Sequence, residues 1–244
     1  MSSDRRDMAA PALTGDPAFQ ATVLEDMSAA ENYRSWLIDL TAPYLGDCPV
    51  EIGSGTGDYA ELWAGAGRHV TATDGFPPLV DQLRQRFAAN PFVDVQHLVI
   101  PSSCRGDHSA VVAINVLEHI ADDLQALRDF AALVRPGGAV VLFVPAFSML
   151  MSDYDRRVGH VRRYRRKHLL QLLHAAGLEP TTVHYVNTVG FFGWLVKMRL
   201  LRGQPGPGFA LTVFDRGILP IMRMLEARIR APFGQSLLAV ATKP

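Results

Sequence analysis

The stretch "AVVLFVPAF", Ala139–Phe147, constrains the fold more than any other part of the chain. It is an unbroken apolar run rich in β-branched and aromatic side chains. It falls well short of the roughly 18 residues needed to cross a bilayer, and it offers no polar face to water. Such a run reads as a strand buried on both faces, as in a parallel sheet covered by helices. The rest of the chain supplies the alternation that such a sheet requires. Strands are expected at Val50–Ile52, His69–Thr73, Val93–Ile100 and Ala110–Ile114, with helices at Tyr59–Gly65, Pro78–Ala89 and Asp122–Val134. The last of these helices stops at "RPGG", with proline and glycine just past its final turn. A helix over Arg166–Ala176, a strand at "TTVHYV" and a final strand at "QSLLAVAT" complete the pattern. An earlier helix, Glu31–Leu45, puts Trp36, Leu37 and Leu40 on one face and meets Pro43 near its end. The fold class is α/β, a doubly wound sheet.

At 244 residues the chain suits one such domain with an elaborated edge. Residues 1–30 are expected as an arm, flexible or acting as a lid, and residues 31–244 as the domain. Lysine plus arginine, 24, balance aspartate plus glutamate, 24, so no global field draws the protein to nucleic acid or an anionic membrane. Cys48 and Cys104 form no spaced cluster, which suits a reducing cytoplasm and implies neither a disulfide framework nor a metal site.

Gly53, Gly55 and Gly57 in "VEIGSGTGDY" follow a strand and precede a helix, the setting in which a glycine turn holds a ligand. A dinucleotide fingerprint would place its third glycine at position 58, which is Asp58. A carboxylate in that first helical turn competes with a pyrophosphate for the helix N-terminus. A cationic ligand without phosphate has no such conflict, and S-adenosylmethionine is one. Asp74, at the end of the second strand in "TATDGF", suits the two hydroxyls of a ribose. Glu51 is placed to support the turn or to orient the ligand's amino group.

These stretches, with "AINVLEHIADDLQAL" and "LVRPGGAVVLFVPA", resemble the class I S-adenosylmethionine-dependent methyltransferases from about Asn32 to Phe147. "ENYRSW", "GHVRRYRRKHLLQLLHAAGLE", "GFFGWLVKMRLLRG" and "PFGQSLLAVATK" extend the resemblance to a bacterial small-molecule branch often linked with glycan or lipid-sugar enzymes. The resemblance implies a Rossmann-like, seven-stranded mixed sheet with its last strand antiparallel and a helical insertion, about 189–231, before that strand. It implies that Gly53, Ser54, Gly55 and Gly57 lie under the methionine and ribose, that Asp74 holds the ribose, and that Gly75 and Phe76 border the adenine. Asn115, Val116 and Leu117 would sit beside the sulfonium, Glu118 and His119 would face the pocket mouth, and Tyr33 would close over the cofactor. The acid that reads the adenine in many relatives is missing from "LVIPSSCRGD", which leaves Ser102, Ser103 or the backbone for that task.

A hydroxyl acceptor gains from a general base, and His119 and His160 follow the strands whose ends border the crevice. His160 and Tyr164 serve equally well as packing for the next helix. The basic run "RRVGHVRRYRRKH" suggests an anionic acceptor held by Arg162 and Arg163, with Tyr154, Tyr164 and Trp194 as further substrate contacts. Its bland alternative is a solvated helix start. "VGFFGWLVKMRLL" reads as a helix packed on the core or on a second copy, with a membrane surface as the less favoured role. The sequence therefore points to methyl transfer onto a small-molecule oxygen or nitrogen. Its rivals are a cofactor-binding regulator without turnover and an RNA methyltransferase.

Overall fold

The computed structural model describes residues 16–196, 213–226 and 228–244. Its centre is a seven-stranded sheet in the order β3-β2-β1-β4-β5-β7-β6. The strands are β1 (Pro49–Ile52), β2 (Val70–Asp74), β3 (Val93–His97), β4 (His108–Ile114), β5 (Val134–Pro145), β6 (Glu179–Val186) and β7 (Ser236–Thr242). The first five pair in parallel, and β7 runs antiparallel to both β5 and β6. This is the doubly wound mixed sheet expected from the sequence.

Helices α1 (Pro17–Ala29), α2 (Glu31–Thr41), α3 (Asp58–Gly65), α4 (Pro77–Arg86), α5 (Asp123–Leu133), α6 (Asp153–Val158) and α7 (Arg166–Ala175) surround the sheet. After β6 come α8 (Thr188–Trp194), a π-helical turn (Phe214–Ile218) and α9 (Leu219–Glu226). Alternate residues of β5 feed two apolar layers. Val140, Leu142 and Val144 meet Leu127, Phe130 and Leu173 on one face, while Val141 and Phe143 meet Trp36 and Trp63 on the other. Both faces are buried, as the unbroken apolar run requires.

Several boundaries differ from the sequence reading for physical reasons. Pro43 ends α2 early, and a 3-10 turn over Ala42–Tyr44 follows. The "RPGG" segment does not lie outside the sheet. It belongs to β5, where the register against β4 shifts between the His108–Val134 and Ala110–Ala139 pairs, a bulge that glycine tolerates. β3 stops at His97, leaving Leu98–Pro101 to turn away from the sheet. The arm expected at 1–30 contains α1, while residues 1–15 lie outside the described part, as do Lys197, Arg199, Arg202 and the "RGQPGPG" break.

The insertion is tied to the domain by carboxylates at helix starts, where they complement free amides and the helix dipole. Asp215 accepts from the amides of Asn32 and Tyr33 at 3.3 and 2.9 Å, and Glu226 accepts from Asn187 and Thr188 at 3.2 and 2.7 Å. Leu219 and Met222 of α9 are buried, whereas Ile221, Met224 and Leu225 are exposed.

Leu142 is fully buried in the middle of β5, paired on both sides. Leu142→Ala should cost about 2–5 kcal/mol, read as a lower urea midpoint with an unchanged slope.

Candidate active site

The order of the sheet reverses between β1 and β4, so the chain leaves these adjacent strands toward opposite sides. Ligands of open α/β sheets bind in the crevice that this creates beyond the carboxyl ends. A cavity of about 790 Å³ lies there. The turns after β1, β2 and β4 line it with Gly53, Ser54 and Gly55, with Asp74, Gly75 and Phe76, and with Asn115 and Val116. Glu51, Tyr33, His119, Tyr154, His160, Arg163 and Trp194 also line it.

The glycine turn is stitched to β2. The Ser54 amide donates to the Thr73 carbonyl at 2.7 Å, and the Thr73 amide donates to Ser54 Oγ at 3.0 Å. Asp74 completes the seam by accepting from the Gly55 amide at 3.0 Å and the Phe76 amide at 2.8 Å. Gly53 has φ +69°, and a Cβ there would stand 2.8 Å from Val116 Cγ2. Only glycine meets both conditions. Gly57, with φ +87°, does not line the cavity; its missing Cβ makes room for Phe87 and Leu83.

Asp58 is not a bare charge. It accepts from Ser28 Oγ and Thr56 Oγ1 and pairs with Arg86 at 2.8 Å. Burial works against its ionised form, but these bonds hold its pKa below the usual carboxylate value. Its conflict with a phosphate ligand is therefore softened, and the carboxyl left partly unsatisfied is Glu51. Glu51 is buried, its Oε2 lacks a hydrogen-bond partner among the described residues, and burial pushes its pKa up to about 8 against a hydrogen bond with Ser54, with help from Asp74 and Asp58. Burial also raises Asp74, against its backbone hydrogen bonds.

Other expected site residues lie elsewhere. Leu117 and Tyr164 are fully buried in the core beneath the cavity. Tyr164 Oη donates to Asp123 Oδ2 at 3.2 Å, so it cannot touch a ligand. Ser102 turns away from the cavity: its amide donates to Asp129 at 2.7 Å and its hydroxyl accepts from the Cys104 amide. Leu98, Val99, Ile100 and Pro101 form that wall instead. Arg162 is absent from the lining and pairs with Asp123.

Several charges of the arginine run are paired within the chain, although only Arg163 is buried. Arg156 pairs with Asp153, Arg157 lies over the Phe19 ring and faces Asp16, and Arg163 pairs with Asp155 at 2.7 Å. Arg165, Arg166 and Lys167 border a separate shallow groove beside Phe147 and Tyr185. Of the two arginines expected to hold an anion, Arg162 lies outside the lining and Arg163 lines the cavity with its charge paired to Asp155.

The far end of the cavity holds a compact polar group. His160 Nδ1 lies 2.8 Å from Asp155 Oδ1, and His160 Nε2 lies 3.7 Å from Glu118 Oε1. Asp155 also accepts from Arg163 Nε at 2.8 Å, Ser152 Oγ at 2.7 Å and the Ser152 amide at 2.8 Å. Burial opposes its charge, yet these donors hold its pKa down to about 2. Glu118 is fully buried, and burial pushes its pKa up to about 7. His119, its ring centroid 4.8 Å from that of His160, is pushed down to about 4 by burial and by His160.

Sequence reasoning missed the contribution of α1. Gln20, Val23 and Leu24 cover the cavity, and Gln20 Nε2 donates to the Val158 carbonyl at 2.7 Å. It also missed α6, although "SDYD", Ser152–Asp155, has the spacing of a helix-capping pair.

The profile of the methyltransferase domain family matches residues 28–183, more than half of the chain. The chain belongs to the class I S-adenosylmethionine-dependent methyltransferases. A probable S-adenosylmethionine-dependent methyltransferase of Mycolicibacterium smegmatis is 30% identical to this methyltransferase over 147 residues, 59% of this chain and 54% of its own. A ubiquinone biosynthesis O-methyltransferase of Aeromonas salmonicida is 32% identical over 113 residues, 44% of this chain and 47% of its own. The matches thus span about half the length of these curated relatives. The TehB-like S-adenosylmethionine-dependent methyltransferase structure from Corynebacterium glutamicum shares the fold at a TM-score of 0.57 and 18% identity, covering 94% of this chain and 100% of that one. Among the described residues no helix is long and apolar enough to cross a membrane.

Glu51 makes the free methyltransferase sensitive to pH. Its folded pKa of about 8 exceeds the ordinary 4.5, so the folded state binds more protons between these values and stability falls as pH rises. Glu51→Gln should flatten that fall and leave the variant more stable than wild type near pH 8, read as thermal midpoints without ligand.

Proposed function

We propose that this chain transfers a methyl group from S-adenosylmethionine to an oxygen or nitrogen, in preference to carbon, of a small molecule. The observation that carries the reading is one continuous cavity, with the glycine turn and Asp74 at one end and His119 and His160 at the other. Bound S-adenosylmethionine supplies a methyl carbon already activated by its sulfonium.

The chain's own residues account for the rest. An ionised carboxylate offers about four acceptor positions, and two of those on Asp74 hold backbone amides, which leaves room for two ribose hydroxyls. Glu51, with an unpartnered oxygen in the buried floor, suits the ligand's positive groups. Gly75 and Phe76 face the adenine, with Leu98–Pro101 opposite. Asn115 holds a left-handed backbone, φ +53°, at the end of β4, beside the methyl position.

The acceptor lies between Tyr154, Trp194 and Val158 and presents its nucleophile to His119 and His160, where its proton is drawn off. Tyr154 and Trp194 meet edge to face at 5.3 Å, and Arg163 stacks on Trp194 with its charge already paired. These walls favour an apolar or aromatic body bearing a hydroxyl over a strongly anionic molecule. The O-methyltransferase among the relatives supports oxygen as the acceptor atom. Holding nucleophile and methyl carbon in line supplies much of the rate, since well-oriented pairs gain about 7–11 kcal/mol over free encounter.

Calorimetric titration should show binding of S-adenosylmethionine and S-adenosylhomocysteine but not of NADH; binding of NADH alone, or of none, would sink the proposal. Asp74→Ala should weaken S-adenosylhomocysteine binding by at least ~1.5–3 kcal/mol, the scale of hydrogen bonds to a charged group; near-normal affinity would remove its ribose role. His160→Ala should keep cofactor affinity while lowering S-adenosylhomocysteine release on a panel of phenols, alcohols and amines. Unchanged release would make His160 structural.

A further inference from the structure

We propose that Glu118, His119 and His160 form a binding site for one divalent first-row metal ion at the acceptor end of the cavity. Each residue offers one ligand atom, and the three atoms lie within 4.8 Å of one another. Glu118 is wholly buried, and neither of its carboxylate oxygens has a hydrogen-bond partner from another described residue. A buried carboxylate without a donor is costly and calls for a partner, an ion among them.

The histidines are prepared in the manner of metal ligands. Ligating imidazoles use their second nitrogen to donate to a carboxylate or carbonyl, which fixes ring and tautomer. His160 Nδ1 bonds to Asp155 at 2.8 Å, and Asp155 is itself held by Arg163 and Ser152. His119 bonds to the Gly159 carbonyl. Nε2 of His160 thereby faces Glu118, and both imidazoles open onto the cavity. Two imidazoles and one carboxylate suit zinc, manganese or iron(II), with open positions left for a bound oxygen.

The role of such an ion rests on the methyl-transfer reading; its binding does not. An acceptor hydroxyl coordinated there ionises at lower pH. With the ion bound, His119 and His160 are ligands and not proton acceptors, so the O–H bond breaks, the proton leaves to solvent, and the electron pair stays on oxygen. That oxygen bonds to the methyl carbon as the carbon–sulfur pair returns to sulfur.

The test uses the full chain without a tag, stripped with EDTA and titrated with zinc chloride and with manganese chloride. One equivalent of one of them should bind per chain. Glu118→Gln and His160→Gln should each weaken binding at least a hundredfold, and Asp155→Asn about ten- to hundredfold as the loss of an outer partner. Circular dichroism checks that the variants fold. X-ray absorption of the zinc-loaded wild type reads the ligands directly, independent of any variant: nitrogen and oxygen only are expected, and sulfur would overturn the assignment. Absence of stoichiometric zinc and manganese would also overturn it, as would folded variants that bind like wild type. S-adenosylhomocysteine binding, measured on the same stripped sample, reports separately on the methyl-transfer reading.

Discussion

The parallel pairing of β1 with β2 on one side and with β4 on the other governs the rest of the molecule. Because the connections run to opposite faces from this pair, the backbone parts at the carboxyl ends and cannot close the space above them. The glycine turn fills that space only to the depth of a backbone, since Gly53 lies where a side chain would strike Val116. Asp74 then closes the seam between the β1 and β2 turns with two backbone hydrogen bonds. The cavity is thus a consequence of topology, and its floor is rigid because strand ends and amide–carboxylate bonds form it.

At the opposite end the rigid element is electrostatic. Arg163, Asp155 and His160 come from one short stretch of chain, folded back by α6 so that charges eight and five residues apart meet. A fully buried ion pair gives little net stability, because desolvation offsets most of the attraction. It does fix geometry, since an arginine fork bound to a carboxylate leaves few alternatives. The same pairing explains why a basic run that looks like an anion trap in the sequence is largely neutralised in the fold. Its charges were countable in the sequence, but the acids that meet them were not.

The centre of the sheet was legible because β4, β5 and β7 are largely apolar and buried on both faces, whereas the edge strands β3 and β6 carry polar side chains. The cofactor end was legible for a related reason: Gly53, Gly55, Glu51 and Asp74 sit at fixed offsets from strand ends. Ser102 failed as a site residue because its strand ends three residues earlier than the apolar pattern suggests, which swings the loop toward Asp129. Tyr164 and Leu117 failed because motif proximity to a strand end does not reveal which way a side chain points. The sequence brought His119 and His160 to the same crevice, but did not show the convergence of both on the buried Glu118 carboxyl. His160 lies 41 residues beyond His119, a separation closed in the fold by bonds such as that from the Val161 amide to the Glu118 carbonyl and the Arg162–Asp123 pair. The sequence shows no metal-ligand spacing there for that reason.

Two carboxyls are buried, Glu51 in the wall of the cavity and Glu118 behind His119 and His160, and Glu51 Oε2 and both Glu118 oxygens lack a hydrogen-bond partner among the described residues. A core built for stability alone would pair such groups or replace them, because each unsatisfied buried group costs about 1–3 kcal/mol. In the proposed reading both stand where positive charge is wanted: Glu51 beside the cofactor's sulfonium and ammonium, Glu118 beside two imidazoles. Sites that bind cations carry such destabilisation in the free state and recover it on binding, the usual trade between stability and activity. Arg163, the buried arginine of the far cluster, bonds to Asp155 and reaches Glu118 only through its charge. Glu118 thus keeps the charges of Arg163 and His160 nearby but no hydrogen bond from another described residue, which leaves its oxygens open to a ligand from outside the chain.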